Sequence, residues 1–276
     1  MCRWMAYSGD PIPIEWLLLQ PTHSLIDQSL HSRLGATTTN GDGFGLGWYD
    51  GAGPPALYRT VHPAWNDRNL REISSHIRAG MFLAHIRAST GTAVQETNTH
   101  PFRHDRWLFV HNGLIREFPT VKRDLLFAVE PDLLASIEGS TDSELLFHLA
   151  ITFGLRDDPL GALERAAGLV EEVGHAHGVE HPLQMAVAAA DGERVVAVRY
   201  SSEGASRSLF FSTRADTLKA HYPHDERLKE MSDEARVVLS EPLGDLGGAW
   251  NEVPEATAVV VQPGDDALRP FSPQRP

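Results

Sequence analysis

Nine short apolar or alternating runs, at residues 4–7, 44–49, 81–86, 107–110, 183–189, 194–200, 209–212, 236–239 and 257–261, read as β-strands. In the second half of the chain they follow one another directly, without the long crossovers that parallel neighbours require. That grouping argues for an α+β domain with antiparallel sheet rather than a doubly wound parallel one. Three helices are expected among the strands. Residues 66–77 open on Asn66 as a cap and repeat apolar positions at Leu70, Ile73 and Ile77. Residues 143–155 carry Leu145, Leu146, Leu149 and Phe153 and read as a buried helix. Residues 158–173 begin with Asp158 as cap and Pro159 at the first helical position.

The length of 276 residues allows one large domain or two small ones. The Gly- and Pro-rich stretches at 51–55, 201–206 and 244–248 are too short for free linkers, so one domain over 2–262 is expected. Residues 263–276 hold four prolines and little apolar content, which predicts a flexible tail. Against 24 Lys and Arg stand 37 Asp and Glu, a net charge of −13, so nucleic acid and anionic membrane surfaces are unfavourable partners. The apolar run at 16–19 is too short for the core of a secretory signal, and the run at 185–190 falls far below the ~20 residues that span a bilayer. A cytoplasmic protein, with no membrane contact, is expected.

The chain has a single cysteine, Cys2, which excludes an internal disulfide and any CxxC motif. With Met1 removed, thiol and α-amine share one residue. A free α-amine has a pKa of about 7.7–8.0, so much of it is neutral near neutral pH and can take the thiol proton. Three more segments carry candidate chemistry. In His85-Ile86-Arg87-Ala88-Ser89-Thr90-Gly91, Arg87 offers a planar fork for a carboxylate and Thr90 a hydroxyl beside it. Asn112-Gly113 follows a strand and reads as a hairpin turn or as an oxyanion hole, built from the Asn112 amide and the Gly113 N–H. In Ser140-Thr141-Asp142-Ser143-Glu144 a capping box places Asp142 in the first helical turn, where it complements the helix dipole or anchors a substrate ammonium.

In this order, these motifs resemble the glutaminase domain of the class II glutamine amidotransferases, which are N-terminal-nucleophile hydrolases. The segments 40–48, 98–102, 191–194 and 238–243 are similar to further stretches of that family. The resemblance implies a four-layer αββα sandwich with two antiparallel sheets. It implies that Cys2 attacks a γ-carboxamide to form a thioester, that Asn112 and Gly113 hold the oxyanion, and that Arg87 and Asp142 bind the α-carboxylate and α-ammonium, with Thr90 near the carboxylate. The opening Met-Cys-Arg is similar to that of the γ-glutamyl amidohydrolase step of ergothioneine biosynthesis. A freestanding member either hydrolyses glutamine or a γ-glutamyl compound outright, or supplies ammonia to a separate synthetase or transferase partner. A third reading is a retired site that only binds a γ-glutamyl ligand.

No cofactor is expected. Of the 14 histidines, neither 175/177/181 nor 221/224 forms a metal-binding arrangement. The Gly-rich segment at 41–47 lacks the Lys-Ser/Thr ending of a phosphate loop. His85, His100 and His111, within or beside the motifs, are expected to form structural hydrogen bonds.

Overall fold

The computed structural model describes residues 2–34, 38–51, 53–89, 91–244, 248–262 and 264–276. The elements run β1 (Arg3–Pro13), α1 (Glu15–Leu18), α2 (Leu25–Leu30), β2 (Phe44–Tyr49), β3 (Ala56–Thr60), α3 (Arg68–His76), β4 (Arg78–Ile86), β5 (Phe102–His104) and β6 (Trp107–Ile115). They continue with α4 (Phe118–Phe127), α5 (Asp142–Thr152), α6 (Pro159–Ala176), β7 (Leu183–Ala190), β8 (Val195–Ser201) and β9 (Phe210–Ser212). The last are α7 (Ala215–His221), α8 (Glu226–Glu230), β10 (Arg236–Leu239), β11 (Trp250–Glu252), β12 (Thr257–Gln262) and β13 (Asp265–Pro270).

The strands form two sheets, ordered β11-β9-β10-β1-β4-β2-β3 and β13-β12-β8-β7-β6-β5. Neighbours pair antiparallel throughout both. Because side chains alternate across a strand, each sheet buries both faces. On β1, Met5 and Tyr7 pack outward beneath α1, α3, α7 and α8, while Trp4 and Ala6 point at the second sheet. On β6, Trp107 and Phe109 pack beneath α4, α5 and α6, while Leu108 and Val110 meet Trp4 and Ala6 between the sheets. Three apolar layers therefore separate four structural ones, the expected αββα sandwich. In the central layer Ala6, Ala188, Ala190 and Ala197 allow close approach beside larger residues such as Trp4 and Leu108. Glycine serves the same close approach on β2: a Cβ on Gly47 would lie 2.7 Å from a Leu108 methyl, and one on Gly45 1.9 Å from the His100 carbonyl oxygen.

Several expectations are corrected. The predicted flexible tail is ordered: residues 265–270 pair along the whole of β12, and Phe271 is buried against Tyr200 at a ring separation of 5.3 Å. Beyond it, Glu164 accepts hydrogen bonds from the Ser272 N–H at 3.1 Å and the Gln274 side chain at 2.7 Å. A polar run thus becomes a strand because β12 presents an open edge to it. Residues 56–60, 102–104 and 250–252 are strands for the same reason, each drawn into a ladder that weak local patterning does not announce. Helix α3 is capped by Asp67, whose carboxylate accepts from the Leu70 N–H at 3.0 Å, and not by Asn66. Asn112 and Gly113 make no hairpin turn: β6 runs straight through them, paired to Ala186 and Met185.

Candidate active site

Cys2 precedes β1, with β10 on one side and β4 on the other. It shares the parity of Trp4 and Ala6, which sets its side chain toward the second sheet. Trp4 holds the strand end in place: it exchanges hydrogen bonds with Ser240 at 3.0 and 3.1 Å, and its indole donates to the Ala186 carbonyl at 3.0 Å. Ala186 stands opposite Asn112, so this bond ties the Cys2 end of β1 to the Asn-Gly strand. The Sγ of Cys2 lies 3.5 Å from the Ala88 N–H and 3.6 Å from its carbonyl oxygen. Burial pushes the thiol pKa up; the Ala88 hydrogen bond and the charges of Arg87 and Arg3 pull the other way. Among the described residues, no histidine nitrogen is hydrogen-bonded to the sulfur.

Arg87 follows β4 and is only 3% exposed. The Gly-rich segment holds its backbone: Arg87 N donates to Gly43 O at 2.9 Å, Asp42 N to Arg87 O at 3.0 Å, and Ser89 N to the Asp42 carboxylate at 2.8 Å. Gly43 does this at φ +126°, a conformation that side chains resist. The Arg87 Nη2 donates to Thr92 Oγ1 at 2.8 Å and to the Ala93 carbonyl at 3.1 Å, while Nη1 is buried without a partner among the described residues. Burial lowers the guanidinium's basicity, opposed by Cys2 and Asp42. A fork held by one nitrogen and open at the other is prepared for a carboxylate.

Asp142 opens α5. Thr141 caps the helix by accepting from the Glu144 N–H at 3.1 Å, but Glu144 turns away to accept from Glu138 N and Gly139 N, each at 2.8 Å. The expected capping box is therefore half made. Asp142 accepts from Ile115 N and from Ser143 N, each at 2.8 Å, so its carboxylate is bolted to the end of β6. Asn98, which motif reading left without a role, links the segments that carry Arg87 and Asp142. Its amide donates to the Ala93 carbonyl that also holds Arg87, at 3.0 Å, and its oxygen accepts from Ser140 N at 2.8 Å, two residues before Asp142. Its complete burial is invisible without the fold.

The three histidines are buried together. His85 stacks on His100 at 4.1 Å and approaches the His111 carbonyl at 3.2 Å, and His111 meets Ser143 Oγ at 2.9 Å. Burial holds all three below the ordinary histidine range, His85 at about 3, so each is a neutral ring at physiological pH.

Cys2, Arg87, His100, Gly113 and Asp142 line one cavity of about 530 Å³. Asn112 is buried and does not line it, and Thr90 lies outside the described residues. No group of three or more His, Cys, Asp or Glu suited to a metal ion occurs among the described residues, and no helix there is long and apolar enough to cross a membrane.

The arrangement offers a thiol, a guanidinium and a carboxylate around one cavity, and known proteins share its frame. The chain is 32% identical to "Probable glutamine amidotransferase DUG3" of Saccharomyces cerevisiae, over 98% of this chain and 84% of that protein. It is 28% identical to the gamma-glutamyl-hercynylcysteine sulfoxide hydrolase of Mycolicibacterium smegmatis, over 98% of this chain and the whole of that one. Among solved structures, a glutamine aminotransferase class-II domain protein from Silicibacter pomeroyi superposes with a TM-score of 0.72 at 32% identity, covering 99% of this chain and all of its own. The family model described as glutamine amidotransferases class-II matches residues 19–274. With the sandwich, the cavity and these likenesses in agreement, the chain belongs to the class II glutamine amidotransferases.

Proposed function

We propose that this protein is an amidohydrolase that cleaves the γ-amide bond of glutamine or a γ-glutamyl compound, with Cys2 as nucleophile. The observation that carries this reading is the buried Nη1 of Arg87, unpartnered among the described residues, in the cavity that Cys2 and Asp142 also line. A zwitterionic glutamyl end needs one cation and one anion, and the cavity lining offers both signs, Arg87 and Arg116 beside Glu117 and Asp142. The named γ-glutamyl hydrolase among the relatives acts on a compound with that same end.

Removal of Met1 frees the α-amine of Cys2, which takes the thiol proton. The sulfur attacks the γ-carbonyl carbon; the oxyanion is assigned first to the Gly113 N–H, at the cavity lining, and then to the amide of Asn112, the residue just behind it on β6, which must turn toward the cavity to reach it. The C–N bond breaks as the leaving nitrogen takes the proton from the α-ammonium. Water, deprotonated by the same amine, then cleaves the thioester to glutamate and restores the thiol. The buried histidines keep their neutral, structural places.

Mass spectrometry of the purified protein tests this. The mature mass lacks Met1, and 6-diazo-5-oxonorleucine adds once, at Cys2, with loss of glutamate release. A retained Met1 together with undiminished turnover would refute the α-amine as base. Turnover in Cys2→Ala would refute the nucleophile.

A further inference from the structure

Asp142 has a competitor for its lone pairs in the residue that follows it. Its Oδ2 accepts from Ile115 N and its Oδ1 from Ser143 N, each at 2.8 Å, and the Ser143 hydroxyl stands 3.2 Å from the same Oδ1. That hydroxyl also lies 2.9 Å from His111 Nδ1. A serine has one hydroxyl proton, so it donates to the histidine or to the carboxylate, and not fully to both.

His111 decides which. Its Nε2 lies 3.3 Å from the Gln184 carbonyl oxygen, which only accepts, so Nε2 carries the proton. Burial keeps the ring neutral, and Nδ1 is then an acceptor. The Ser143 proton therefore goes to His111, and Asp142 Oδ1 keeps a lone pair in the cavity that Asp142, Ser143 and His111 all line. The ring has a fixed seat. His111 and Gly113 share the helix-facing side of β6 with Trp107 and Phe109, and the ring occupies the room a side chain at 113 would need. A Cβ there would lie 2.3 Å from His111 Nε2 and 2.0 Å from the Gln184 oxygen.

We propose that His111 and Ser143 are positioning residues for the substrate ammonium: the histidine draws the serine proton away from Asp142 and so reserves that carboxylate for the α-amine of the glutamyl end. The inference rests on Cys2 as nucleophile and Asp142 as ammonium anchor, and adds the pair that keeps the anchor available. Without an acceptor at 111, the Ser143 hydroxyl turns to Oδ1 and competes with the substrate for it.

The test uses two substrate pairs whose members differ only in the α-amine: γ-glutamyl-p-nitroanilide with glutaryl-p-nitroanilide, and glutamine with glutaramate. The wild-type protein prefers the amine-bearing member by about tenfold or more in kcat/KM. His111→Leu lowers that preference about fivefold or more, mostly through KM, and adding Ser143→Ala, which removes the competing hydroxyl, restores it. His111→Gln, whose amide both donates to the Gln184 carbonyl and accepts from Ser143, keeps the preference. Each ratio is taken within one preparation, which cancels any loss of folded protein. A preference kept in His111→Leu, no rescue by Ser143→Ala, or a preference lost in His111→Gln overturns the positioning pair and leaves Cys2 and Asp142 in their roles. A wild-type ratio near one overturns Asp142 as ammonium anchor together with the pair. No turnover of any of the four compounds overturns the underlying assignment as well.

Discussion

Arg3 Nε donates to Glu241 Oε2 at 2.8 Å across 238 residues of sequence, with both side chains almost wholly buried. The same guanidinium donates from Nη1 to the Cys2 carbonyl at 2.9 Å. Glu241 also accepts from the N–H groups of Arg33 at 2.7 Å and Leu34 at 3.1 Å, and meets His23 Nε2 at 2.5 Å. One carboxylate thus anchors the residue next to Cys2 and the backbone at residues 33 and 34. Burial works to raise its pKa, but these hydrogen bonds outweigh it and hold the pKa below the ordinary range. Its contribution is therefore present above about pH 4.5 and is lost as pH falls through the lower folded value. Glu241→Ala is expected to cost about 3–5 kcal/mol in urea denaturation, because it strands Arg3 in the interior. A paired Arg3→Met, Glu241→Leu variant is expected to recover part of that loss.

The histidine cluster makes a second acid-sensitive element, over a different window. His85 protonates near pH 3 in the folded state and near 6.5 when unfolded, so the unfolded chain binds the extra proton between those values. Stability is complete above about pH 6.5 and falls with acidification at roughly 1.4 kcal/mol per pH unit for each such histidine. His100 and His111 act in the same direction. Urea midpoints are expected to hold from pH 7.5 to about 6.5 and to fall from there to pH 4.5, less steeply in His85→Gln.

For the reaction, Arg87→Lys keeps the charge but loses the fork. Because Nη2 is already held by Thr92 and Ala93, a lysine cannot satisfy both the loop and a substrate carboxylate. A loss of about 10–100-fold in kcat/KM is expected, mostly through KM. Asn112→Ala is expected to lower kcat by roughly 10²–10³-fold with little change in KM, since an oxyanion donor acts only as charge develops. Steady-state kinetics on one γ-glutamyl substrate separates the two.

At the C-terminus, Phe271→Ala removes a buried ring packed on Tyr200 and is expected to cost about 3–5 kcal/mol by thermal or urea denaturation. A free tail would give no change.

The strand succession of the second half and the strong apolar periodicity of α5 and α6 were legible because local pattern and tertiary burial agree there. So were Cys2, Arg87 and Asp142, which the fold brings to one cavity and which stand out in the chain as polar chemistry placed at element ends. Other features depended on partners far away in sequence. The strand at 265–270 is polar and exists because β12 leaves an edge beside it; the Asn-Gly pair lies straight because β7 pairs with it, against its local preference for a turn. Asn98 and Glu241 look like ordinary polar residues in the chain. Only folding buries them and places them beside the groups they hold, since a hydrogen bond between positions far apart in the chain leaves no periodicity to read.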